Sequence, residues 1–147
     1  MSSNSSTDDG PPTPVATQLS GAFNALARES TVTHRQMLRR LDQVRVRIRV
    51  DDELFDIATD AARGVVLVEQ VDGEARVTIA TSRAVVHDVL AGRRTLPEVL
   101  REGTLTAYGA LRDLVAVLSA LEAFVHGAVR SRATAELFED FETEGAV

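Results

Sequence analysis

Residues 111 to 125 carry eight large apolar side chains: Leu111, Leu114, Val115, Val117, Leu118, Leu121, Phe124 and Val125. At about 100° per residue these positions cover roughly half the circumference of a helix. A surface helix needs a stripe of about 100° to bury itself on one neighbour. The excess therefore requires a second apolar neighbour. Periodicity alone leaves three candidates open: more protein core, a partner chain, or a bound apolar molecule.

The chain can supply an aliphatic environment and little else. Of its 147 residues, 44% are hydrophobic but only 4% are aromatic, and there is no Trp. A core or pocket would be built from Val, Leu and Ala. There is no Cys, which excludes disulfides, thiolate metal sites and a Cys nucleophile. The net charge of −6 argues against a nucleic-acid binder, because phosphate contacts need a basic face. All 16 basic residues are Arg, a bias expected of a GC-rich bacterial genome. The opening residues MSSNSSTDDGPPTP lack the charged and apolar regions of a signal peptide. No apolar run approaches the roughly 18 residues of a membrane span. The expectation is a cytoplasmic protein with no transmembrane segment.

The pattern along the chain is that of an α+β domain. Residues 1–14 have almost no apolar content and are expected to be disordered. Residues 15–43 read as N-terminal helices, with Leu19, Phe23 and Leu26 at helical spacing, an interruption at Ser30-Thr31, and then Met37, Leu38 and Leu41. In VRVRIRV (44–50), Val44, Val46, Ile48 and Val50 alternate with Arg45, Arg47 and Arg49. This is a strand with one buried face and a solvated arginine face beside acidic neighbours. ELFDIATD reads as a second strand. GVVLVEQVDGEARVTIAT reads as two more around an Asp72-Gly73 hairpin turn. Ser82 can cap a helix that carries Val85, Val86, Val89 and Leu90 and ends at Gly92. Thr95 and Glu98 form a capping-box pattern with Pro97 in the first turn. A short strand lies between Gly103 and Gly109, and the long helix is expected to run from about Leu111 to His126 and stop at Gly127. The whole gives a mainly antiparallel sheet of about five strands with helices on one face.

The order of these elements resembles the sterol carrier protein 2 (SCP2) domain over roughly residues 40 to 130, with the domain placed at 44–130. Thr81-Ser82 leads into a helix closing on Leu90-Ala91-Gly92. A second short helix closes on Glu102-Gly103-Thr104-Leu105, and Gly109 opens the final helix. The sequence departs from the family pattern at Val99, where a small residue is usual. It departs again at Ala110-Leu111-Arg112, where an acidic residue often follows the glycine. The resemblance implies an SCP2-like fold whose sheet and helices enclose an apolar cavity for lipids. It implies a binding or carrier role with no cofactor and no metal, the ligand being a fatty acyl or isoprenoid lipid. The pocket residues it implies are Val86, Leu90, Leu105, Leu114, Val117, Leu118, Leu121 and Phe124.

No catalytic constellation is expected. His34, His87 and His126 are far apart and not at metal-ligand spacing. Asp51, Asp52 and Glu53 read as a solvated turn. Two other functions stay open. One is a non-catalytic interaction module on the same fold. Its partner would be reached through the acidic C-terminal tail (131–147), where Leu137, Phe138 and Phe141 lie among Glu136, Glu139, Asp140, Glu142 and Glu144. The same tail could instead cover the pocket as a lid. The other is a small enzyme acting on an apolar intermediate, which would need Thr78, Thr106 or Tyr108 inside the cavity.

Overall fold

The computed structural model describes residues 14–60, 62–134 and 136. The expected disordered leader, residue 14 apart, and the aromatic part of the acidic tail lie outside the described residues. Helices α1 (Val15–Glu29) and α2 (Thr31–Arg40) precede four strands, β1 (Val46–Val50), β2 (Glu53–Asp60), β3 (Val65–Glu69) and β4 (Val77–Thr81). Helices α3 (Arg83–Leu90) and α4 (Leu96–Glu102), strand β5 (Thr106–Gly109) and helix α5 (Leu111–Arg130) follow. The strands form one open sheet in the order β3-β2-β1-β4-β5. All neighbours are antiparallel except β1 and β4, which are parallel.

The alternation in VRVRIRV sets the two faces of the sheet. Val46, Ile48 and Val50 are buried, and the register places Ile57 and Phe55 of β2 and Val77 and Ile79 of β4 beside them. This face joins α1, α2, α4 and α5 in one continuous core, which also takes in Val89 and Leu90 of α3.

The other face is less solvated than the arginine row suggests. Arg49 is exposed, but the Asp56 side chain opposite Arg47 has no exposed surface. It accepts from Arg45 Nε at 2.6 Å and Arg47 Nε at 2.9 Å. Burial pulls the Asp56 carboxyl up. The hydrogen bonds from Arg47, Arg45 and the Asp72 N–H outweigh burial and hold it below the usual carboxylate range.

The expected Asp72-Gly73 hairpin does not form, because β3 pairs with β2 while β4 pairs with β1. The connection is instead tied to the outer face. Arg47 Nη2 donates to the carbonyl oxygens of Asp72 (3.3 Å) and Gly73 (2.7 Å), and the Asp72 N–H donates to Asp56. These loop groups find partners in the Arg–Asp cluster, so no cross-strand ladder is needed to satisfy them. Pairing with β1 also makes β4 an interior strand, which suits the complete burial of Val77.

The expected stop at Gly127 is also corrected: α5 runs through it to Arg130. A Cβ at Gly127 would lie 2.5 Å from Leu26 Cδ1. The residue is there so that α1 and α5 can approach closely. Gly103 and Gly109, before and at the end of β5, each stand where a side chain would be strained. Gly103 ends α4 in the left-handed region at φ +79. A Cβ at Gly109 would meet the Arg76 carbonyl oxygen at 2.6 Å.

Candidate functional site

Three local devices place α3 and α4 over the end of β1 and β4. The turn after β1 contains Asp51 at φ +53, and its Oδ2 accepts from the Arg83 N–H at 3.0 Å. The Ser82 side chain accepts from Val85 N–H at 3.2 Å, so two side chains fix the start of α3. Thr95 and Glu98 form the reciprocal capping box at the start of α4. Within the acidic turn Asp51 is therefore a helix cap, while Asp52 is exposed as a solvated turn requires. Glu53 accepts from the Val15 and Ala16 N–H groups of α1, at 2.8 and 3.2 Å.

Between these helices, the sheet and α5 lies an apolar cavity of about 80 Å³. Ile48, Val50, Ile79 and Thr81 of the sheet form one wall. Val85, Val86, Val89 and Leu90 of α3, with Leu96 and Leu105, form the second. Leu121, Phe124 and Val125 of α5, with Leu19 of α1, close the third. Thr81 is the single polar residue in this lining, and its hydroxyl donates to the Thr104 carbonyl oxygen at 2.9 Å. The lining contains no titratable group. The cavity can exclude water and hold apolar matter; it offers no group to transfer a proton or attack a carbon.

Of the pocket residues expected from the sequence, Val86, Leu90, Leu105, Leu121 and Phe124 meet at this cavity. Val117 is buried on the neighbouring side of α5, at a void of about 10 Å³ shared with Leu121 and Ile48. Leu114 and Leu118 line neither space. The sheet residues Ile48, Val50, Ile79 and Thr81 were not anticipated as lining. Their signal was present in the alternation, which puts Ile48 and Val50 on the buried face, but it does not say which part of that face stays uncovered.

The polar candidates lie elsewhere. Thr78 and Tyr108 pair across β4 and β5 with exposed side chains, and Thr106 belongs to the same outer face. His87 contacts Arg93 at 2.9 Å through Nδ1. His34 is buried in α2, where burial lowers its pKa. Among the described residues no group of His, Asp or Glu could hold a metal ion. No described helix is long and apolar enough to cross a membrane.

A second, larger groove of about 390 Å³ adjoins the cavity and shares Val89, Leu96 and Val125 with it. It runs between the α3–α4 turn and the C-terminal half of α5. Its rim carries Arg94, Glu122, His126 and Arg130.

No protein-family model matches the sequence, and no curated protein matches it. Solved structures do. A ubiquinone synthesis protein, UbiJ-SCP2, superposes with a TM-score of 0.59 at 20% identity, over 78% of this chain and 95% of that one. A crystal structure of sterol carrier protein 2 gives 0.55 at 17% identity, over 81% and 97%. The sterol carrier protein domain 2 of Helicoverpa armigera gives 0.52 at 14% identity, over 73% and 81%. The chain has an SCP2-like fold, an open five-stranded mixed sheet with helices.

Proposed function

We propose that this SCP2-fold protein binds and carries an apolar small molecule, a fatty acyl or isoprenoid lipid, part of whose chain enters the cavity beneath α5. One observation carries the reading: an uncollapsed space between packed elements whose lining is aliphatic apart from one Thr hydroxyl that is already paired. Small-molecule sites are mostly apolar concavities with few polar groups. The surplus apolar arc of α5 then has its second neighbour. Part of the arc packs on protein and part, through Leu121 and Val125, faces the cavity. No bond is made or broken in such a role. The names of two similar structures, sterol carrier proteins, agree with a carrier.

The test is native mass spectrometry of the full chain as purified from cells, with a fluorescent fatty acid as the solution probe. A co-purifying lipid and measurable probe uptake are expected. Leu121→Arg should abolish uptake while circular dichroism shows the fold retained. Undiminished affinity in that folded variant would remove the assignment of the cavity.

A different observation favours a second reading, the interaction module. Tyr108, Leu111 and Val115 are 65%, 78% and 58% exposed. They follow one another at the edge strand and the first turns of α5, so a partner protein could cover them. A stoichiometric partner in the same mass spectrum, without lipid, would support it.

A further inference from the structure

The cavity is too small to hold a lipid unaided. An apolar cavity of about 150 Å³ takes one benzene, and sites for drug-sized ligands measure roughly 300–1,000 Å³. The cavity here is about 80 Å³. The adjoining groove, at about 390 Å³, falls inside that range. Only Val89, Leu96 and Val125 are common to both spaces. Val125 is partly exposed and its side chain is short. These three shared side chains mark where a chain lying in the groove would pass into the cavity.

The two spaces differ in chemistry. The cavity has no charged lining residue, whereas the groove has Arg94, Arg130, His126 and Glu122 on its rim. Arg94 is held in place by Glu102. Glu122 lies 4.0 Å from His126. Arg130 is exposed and has no ion-pair partner among the described residues. It is eight residues beyond Glu122 on α5, about 12 Å along the axis. A negative group at Arg130 is thus separated from the Glu122 carboxylate. Glu102 already balances Arg94, so Arg130 is the guanidinium on this rim left to meet an anion, with the Arg94–Glu102 pair beside it.

We propose, building on the carrier reading, that this groove is a head-group subsite. The ligand is an anionic amphiphile whose carboxylate or phosphate head lies at Arg130 and Arg94. Its alkyl chain passes Val89, Leu96 and Val125 into the cavity. Guanidinium groups suit both heads, because their N–H donors match paired anionic oxygens.

The experiment uses the full chain and four probes: a pyrene-labelled fatty acid, its methyl ester, the matching alkyl phosphate, and inorganic phosphate. Acid or phosphate heads should bind about tenfold more tightly than the ester, the order expected of a charge-assisted hydrogen bond. Arg130→Gln should bring that preference close to unity and leave ester affinity unchanged. Arg130 is exposed, so the variant should melt as the wild type does. The tighter of the acid and the alkyl phosphate names the head. Equal binding of acid and ester by the wild type, or a preference that survives Arg130→Gln, overturns the subsite and leaves the cavity assignment standing. Displacement by inorganic phosphate as effective as by alkyl phosphate also overturns it, since the anion site would then be independent of the cavity. If no probe with a chain binds, the carrier reading falls and the subsite with it.

Discussion

Helix α5 packs in two ways along its two sides. Toward α1 and α2 it is tight. The Phe23 and Phe124 rings lie with centroids 4.8 Å apart, tilted by 51°. Ala120 and Ala128 are fully buried, and Gly127 leaves room for Leu26. The residual void there is about 10 Å³. Toward α3 the same helix presents Leu121 and Val125 to Val85, Val86 and Val89, and about 80 Å³ stays open. Small residues let helix backbones close up. Branched side chains on facing helices, with α3 fixed by its caps on Asp51 and Ser82, hold the backbones apart. Protein interiors are normally packed to crystal density, so the loose side stands out from the rest of this core.

The largest expected difference between the two sides comes from truncation. Phe23→Ala, on the tight side, should cost about 3–5 kcal/mol in urea melts. A loss under about 1 kcal/mol would mean that this side is no better packed than the other. Gly127→Ala is next. The added methyl must displace the buried Leu26, and overpacking of a filled core costs about 1–3 kcal/mol. An unchanged midpoint would show that α1 and α5 are not in close contact.

The tight side should also be the acid-sensitive one. Burial lowers the pKa of His34 in α2. A depressed folded pKa stabilises the fold fully above the unfolded value of about 6.5, and this stability is lost as pH falls from there toward the folded pKa. Stability should thus begin to decline below about pH 6.5, and His34→Leu should remove that first decline. Asp56, held down by Arg47 and Arg45 against its burial, adds a second loss. It begins only below the ordinary carboxylate value of about 3.9. A single acid transition near the carboxylate range in both proteins would contradict the role of His34. The smallest effect is expected on the loose side. Val86→Phe adds bulk where space exists, so stability should change by less than about 1 kcal/mol or rise slightly. A loss of several kcal/mol would show that the side is already full.

Much of this contrast was legible in the sequence and its key part was not. The apolar excess of α5, the alternation in β1, the caps at Ser82 and Thr95 and the turn at Gly103 are local signals, and each sits where its local physics requires. The pairing of β4 with β1 depends on strands some thirty residues apart, and the Asp72-Gly73 pair reads as a hairpin only while its partners Arg47 and Asp56 are unknown. Gly127 looks like a helix stop until Leu26 is placed beside it. Leu114 and Leu118 share an arc with Leu121, and only the position of α3 separates the residues that line the cavity from those that do not.

If the loose side of α5 is open in order to take up an apolar ligand, filling it should remove binding. Titration of a fluorescent fatty acid into the wild type and Val86→Phe tests it most directly, since that variant fills the cavity without touching the tight side or the groove. Saturable binding by the wild type is expected, with at least a tenfold loss in a variant that melts at the same temperature. Equal affinity in the two proteins would contradict it.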